Sequence, residues 1–165
     1  MIAVLLLGSN RGDKVSLIEK ASGMVQELSN GESKLSSLYE SEPWGFDTDE
    51  WFLNRAVLID TNLDPYELLN KILLIEKELG RVREIGIPAE KVYSSREIDI
   101  DIIFYSNLLI DSKSLIVPHP RMHLRRFVLE PVCEIAPDYV HPGLRVTVRQ
   151  LLTECEDTSK VIKKG

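Results

Sequence analysis

The order of elements along the sequence predicts an α+β protein of ferredoxin-like β-α-β-β-α-β plan, an antiparallel sheet with helices packed on one face. Three observations carry this. Residues 2–7 (IAVLLL) form an unbroken apolar run ending in a Gly-Ser-Asn turn, which reads as a short buried strand. Two stretches, 14–28 and 65–80, repeat their apolar residues at helical spacing. The stretch from Arg96 to Tyr105 (REIDIDIIFY) alternates acid and isoleucine with the period of a strand.

Taken in order, Leu17, Ile18, Ala21, Met24, Val25 and Leu28 define the first helix, which Asn30-Gly31 stops. Residues 34–40 alternate and predict a strand. Residues 41–50 hold Pro43 and Gly45 and predict a loop, although Trp44, Phe46 and Trp51 are more apolar than a merely solvated loop favours. Residues 52–61 (FLNRAVLIDT) are a further strand. Asp64 stands as N-cap and Pro65 at the first position of the second helix, which runs to Gly80. The polar stretch 81–95, with Gly86 and Pro88, predicts a long loop. After the acid-isoleucine strand, residues 107–117 suggest a small hairpin, and Pro118-His119-Pro120 a rigid turn. Residues 125–136 predict a helix stopped by Pro137. A short helix near Gln150 and a frayed tail at about 159–165 complete one domain, 1–165.

Composition narrows the function. With 44% hydrophobic and 28% charged residues, the 165-residue chain is that of an ordinary globular domain. No apolar run reaches the ~18 residues of a membrane helix, and residues 1–7 are too short for a signal peptide, so the expectation is a cytoplasmic protein without membrane contact. Cys133 and Cys155 lack CxxC spacing and read as free thiols. A net charge of −6 argues against nucleic-acid binding. Arginines nevertheless concentrate at Arg81, Arg83, Arg96, Arg121, Arg125 and Arg126, which suggests a small polyanionic ligand.

Asp99-x-Asp101 is the sharpest motif. Period two puts Ile98, Ile100 and Ile102 on one strand face and Glu97, Asp99 and Asp101 on the other. Neighbouring carboxylates about 7 Å apart repel by about 2 kcal/mol at an effective dielectric near 20, so the strand calls for arginines or metal ions. Two such carboxylates suit Mg²⁺, a hard cation that takes oxygen ligands, and two-metal sites of this kind serve in-line displacement at phosphorus. The alternative is a solvent-facing acidic stripe on an edge strand. Arginine forks at Arg81, Arg83 and Arg96 match phosphate oxygens; helix-dipole pairing and surface salt bridges are the alternative. His119 is presented rigidly between prolines, or is structural. Glu76, on an apolar helix face, contacts a ribose hydroxyl or pairs with an arginine. Phe52 and Phe127 offer two faces to a flat ring and Asn54 an edge-reading amide, although Phe at such places is more often core. No P-loop is present.

Together, LLLGSN (5–10), EPWG (42–45), FLN (52–54), ELGRVR (78–83), SREIDIDIIFY (95–105), VPHPRM (117–122) and RRFVLEPVCEIAP (125–137) closely resemble the 6-hydroxymethyl-7,8-dihydropterin pyrophosphokinase family of folate biosynthesis. The resemblance implies Mg²⁺-dependent transfer of the ATP diphosphate to the pterin hydroxymethyl group, with release of AMP. It implies two Mg²⁺ ions on Asp99 and Asp101, and a triphosphate held by Arg81, Arg83, Arg96, His119 and Arg125. It places Glu76 on the ribose side, and the pterin between Phe52 and Phe127 with its edge read by Asn54 and the backbone near Pro43 and Trp44. Loops 8–13, 41–51 and 81–95 would close over the site. Expected partners are therefore ATP and hydroxymethyl-dihydropterin alone, with a monomer as the expected state. The chain departs from the family in three ways. Phe52 stands where Tyr is common, the loop between Arg83 and Arg96 is longer than in some members, and the lid tryptophan is absent, Tyr93 being the nearest aromatic. The expectation is the kinase-like unit alone, without a fused folate-pathway domain. A different class also fits the predicted fold: a nucleotide-binding regulatory module without catalysis.

Overall fold

A computed structural model describes residues 1–43, 49–80 and 97–164. The chain forms β1 (Ile2–Ser9), α1 (Lys14–Gln26), β2 (Ser33–Leu35), β3 (Leu38–Ser41), β4 (Phe52–Asp60), α2 (Pro65–Glu78) and β5 (Asp99–Tyr105). A two-stranded hairpin follows, β6 (Ile110–Asp111) and β7 (Ile116–Val117), then a 3-10 turn (Met122–Leu124) and α3 (Arg126–Ile135). The chain ends in α4 (Val148–Glu154) and β8 (Val161–Lys164). The main sheet runs β5-β1-β4-β3-β8, every pair antiparallel, with β2 also paired to β4.

The unbroken run in β1 has its cause in burial on both faces. Ala3, Leu5 and Leu7 face a core closed by Ile18, Ala21 and Val25 of α1 and Leu68, Ile72 and Ile75 of α2. Val4 and Leu6 face a second core built with Val128, Leu129 and Val132 of α3 and Val148 and Leu151 of α4. The expectation of helices on one face is thereby corrected. The C-terminal third supplies a further helical layer, because the opposite face of β1 and β4 is apolar as well and must be covered.

Local signals set α2. Asp64 accepts from the amides of Tyr66 and Glu67, and the Asp64 amide in turn donates to Glu67 Oε2, a full capping box. The strand predicted over 34–40 is instead split into β2 and β3. Between them the amide and hydroxyl of buried Ser36 bond to the Ala56 backbone, which bends the chain there. The tail expected to fray is also corrected. Residues 161–164 pair with β3, Leu38↔Lys164 through Ser41↔Val161, so an edge strand finds a backbone partner.

Beyond α3, Tyr139 stacks on Phe104 at 4.6 Å between centroids, and His141 meets the same ring edge-on at 5.7 Å. Buried His141 accepts two amides at Nδ1, from Gly143 at 3.1 Å and Leu144 at 3.0 Å. Burial, then the neighbouring His123, holds its pKa below the usual value. In the range between that lowered value and the ordinary ~6.5, the unfolded chain takes a proton the folded one refuses, so stability falls with falling pH. We expect the urea midpoint to decline from pH 7 to pH 5, and His141→Gln to flatten that slope. An unchanged slope would remove His141 as its source. Cys133 and Cys155 are free thiols, both partly buried.

Candidate active site

β5 sets the frame. Ile98, Ile100 and Ile102 enter the first core, while Asp99 and Asp101 lie half-buried on the other face, toward α3. The alternation then breaks: Leu5 pairs Ile102 and Val4 pairs Phe104, leaving Ile103 unmatched in a bulge. Ile103 and Phe104 therefore both join the second core.

The register carries this face across the sheet. Residues directly opposite in an antiparallel pair share a face, and Asp99 pairs Gly8, Gly8 pairs Asn54, and Asn54 pairs Tyr39. One step along, Phe52 lies opposite Ser41, on the same face as Asn54. Two strand spacings, about 10 Å, separate Asp99 from Asn54. Asn54 is buried, and its amide is fixed by donating to Ser41 Oγ at 2.8 Å. A Cβ on Gly8 would lie 3.2 Å from Asn54 Oδ1, so the glycine permits this close approach. Sequence reasoning put Gly8 and Ser41 only at the edges of loops expected to close over the site; it missed their place beside Asn54, whose signal is strand register, which is non-local.

The cationic side comes from the turn after β7 and from the start of α3. The His119 amide donates to the Ile103 carbonyl at 3.0 Å, which pins the turn to β5. Burial pushes the His119 pKa down to about 4; Arg125 and Arg121 add to this, and Asp99 opposes it. His119 is thus neutral at pH 7. Its Nδ1 faces the Arg121 amide at 3.4 Å, so the proton sits on Nε2 as a donor. The Arg125 guanidinium lies over the Phe127 ring, 5.8 Å from its centroid.

The structure thus groups Asp99, Asp101, Phe52, Asn54, His119, Arg125 and Phe127 on the α3 side of the sheet. Pro43 is half-buried just beyond β3. Glu76 belongs to the opposite side: it is 2% exposed among α2 residues of the first core, and its Oε1 accepts the Ile100 amide at 2.8 Å. Glu97 is exposed beside Gly80, which leaves α2 at φ +96°. Trp44, Arg81, Arg83 and Arg96, with the lid expectations for 41–51 and 81–95, lie wholly or partly outside the described residues.

The donor chemistry fits Mg²⁺. Among the described residues no group of three or more His, Cys, Asp or Glu side chains forms a metal cage. Two carboxylates on one strand face are the set that Mg²⁺ takes when phosphate oxygens and water complete its shell.

Fold and grouping define the class: an α+β protein in which an acidic strand face meets a cationic helix start. A family model for 7,8-dihydro-6-hydroxymethylpterin-pyrophosphokinase (HPPK) matches residues 4–137. The chain is 41% identical to the 2-amino-4-hydroxy-6-hydroxymethyldihydropteridine pyrophosphokinase of Aquifex aeolicus, over 90% of this chain and 88% of that one. It is 42% identical to the Bacillus subtilis protein of the same name, over 81% and 77%. The solved wild-type HPPK-DHPS of Plasmodium falciparum shares the fold, with a TM-score of 0.70 at 18% identity. This chain spans 44% of its length, and 93% of this chain is covered. The chain belongs to the 7,8-dihydro-6-hydroxymethylpterin-pyrophosphokinase family.

Proposed function

We propose that this protein transfers the diphosphate of ATP to the hydroxymethyl group of 6-hydroxymethyl-7,8-dihydropterin, giving AMP and the pterin diphosphate in folate biosynthesis. The observation that carries the proposal is the family match over residues 4–137, within which Asp99, Asp101, Asn54 and Arg125 share one side of the sheet. Membership in a family of pyrophosphokinases favours catalysis over a regulatory nucleotide-binding module.

In the reaction, the substrate hydroxyl oxygen forms a bond to the β-phosphorus, the bridge to the α-phosphate breaks, and AMP leaves with the bridging oxygen. The hydroxyl proton goes to solvent. Asp99 and Asp101 would hold Mg²⁺, two ions by our reading, which neutralises charge on the phosphate chain and orients it. His119 donates from Nε2, and Arg125 pairs with phosphate oxygens; both act in a partly buried site where such contacts strengthen. Arg81, Arg83 and Arg96 complete the grip on the triphosphate. Phe52 and Phe127 stack the pterin while Asn54 reads its edge, helped by the backbone near Pro43 and Trp44. The distance of about 10 Å across two strands suits a ring at Asn54 and phosphates at Asp99.

We further read the strand order β5-β1-β4-β3 as the ferredoxin-like arrangement, and the protein as a monomeric, cytoplasmic, single-domain enzyme. Among the described residues no helix is long and apolar enough to cross a membrane.

Product analysis tests the function. With MgATP and hydroxymethyl-dihydropterin, we expect AMP and pterin diphosphate in equal amounts, and loss of both on chelation of the metal. ADP as the nucleotide product would overturn the assignment.

A further inference from the structure

Residues 156–164 lie beyond the family match, which ends at residue 137, yet they reach both rims of the site. At the first rim, α3 starts without a cap of its own, because Arg125 in the N-cap position gives no side-chain bond. The acceptor comes from 31 residues further along the chain. Asp157 Oδ2 accepts the Arg126 amide at 2.9 Å, and Arg126 Nε donates to the Asp157 carbonyl at 3.0 Å. The other carboxylate oxygen, Oδ1, accepts the Ser159 amide at 2.9 Å. At the second rim, the Lys160 amide donates to Glu42 Oε2 at 2.6 Å, and the Glu42 amide donates to the Lys160 carbonyl at 3.1 Å. Four consecutive residues thus tie the start of α3 to the start of the loop that carries Pro43.

A negative group at a helix N-terminus is favoured by the orphan amides and the helix dipole. Burial pushes the Asp157 carboxyl up, but bonds from Arg126 and Ser159 and the Arg126 charge together hold it below its usual value, so it stays ionised. The residue it caps stands between Arg125 and Phe127, and a frayed first turn would swing both side chains.

We propose that Asp157 is a positioning residue: by capping α3 from the C-terminal segment, it aims Arg125 and Phe127 at the substrate, and the same segment couples that aim to the Glu42–Pro43 rim. The inference rests on the diphosphokinase reading above.

The test uses the full-length chain with Asp157→Ala, Asp157→Asn and Glu42→Ala. Asn keeps the shape but has one acceptor oxygen where Asp157 uses two, so it loses one of the two amides. Kinetics are measured well below each variant's melting temperature, beside hydrogen exchange. We expect kcat/KM for the pterin to fall about tenfold in both Asp157 variants, near the upper range of a lost helix cap, with faster exchange at residues 126–128 and at Glu42 and unchanged exchange in α1. Glu42→Ala should raise the pterin KM by a smaller factor. A purely structural Asp157 would lower the melting temperature and leave kcat/KM in place, which would overturn the proposal. If the Asp157 variants are unfolded, the Glu42→Ala result decides, and an unchanged pterin KM there also overturns it. Wild-type protein that makes no pterin diphosphate would refute the diphosphokinase reading instead.

Discussion

Asp99→Ala and Asp101→Ala should each lower kcat by at least about a thousandfold, the several kcal/mol that a lost metal site withdraws from phosphoryl transfer, while the fold survives. Both carboxylates are half-buried on the face of β5 that looks toward α3, and neither belongs to a core cluster. Alanine therefore removes a hard oxygen donor without opening a cavity in either core. The flanking Ile98, Ile100 and Ile102 still anchor the strand. The melting temperature should move by a few degrees at most, as for a surface substitution in a chain of this size. AMP formation and thermal melting monitored by circular dichroism check the two halves separately. A folded variant retaining a tenth or more of wild-type kcat would remove that carboxylate from the site.

The same strand shows how far sequence carries. The alternation from Ile98 to Ile102 was legible because one face is buried and the other is not. The bulge at Ile103 was not legible, since it arises from the pairing of Val4 and Leu5 on a different strand. Helix starts divide in the same way. The cap of α2 lies in adjacent residues, Asp64 and Glu67, whereas that of α3 comes from Asp157, which no local pattern announces. β8 is four residues ending in two lysines, too short and polar to read as a strand; it gains its structure from the open edge of β3. In the site, period two on β4 already aligned Phe52 with Asn54. What faces them from other strands depends on register, so the place of Gly8 and Ser41 beside Asn54 became visible only with pairing in place.

Glu76 is the residue for which the structure most changes the expected experiment. A carboxylate that only met a ribose would weaken ATP binding when removed and leave stability alone. Here the carboxylate is 2% exposed, and its Oε1 accepts the amide of Ile100. Among the described residues, β5 is the outer strand of the sheet, beside β1, and edge amides left open invite foreign strands. Glu76 closes that edge from α2. Glu76→Ala should therefore cost about 2–4 kcal/mol in urea unfolding, combining a buried amide that loses its acceptor with the space left by the side chain. Glu76→Gln keeps an acceptor oxygen and should lose less than half as much. Ile100 stands between Asp99 and Asp101, so loosening its amide should also lower kcat in the Glu76→Ala protein that remains folded. An alanine variant within about 0.5 kcal/mol of wild type, the range of neutral surface changes, would refute the edge-closing role and leave the ribose contact as the better reading.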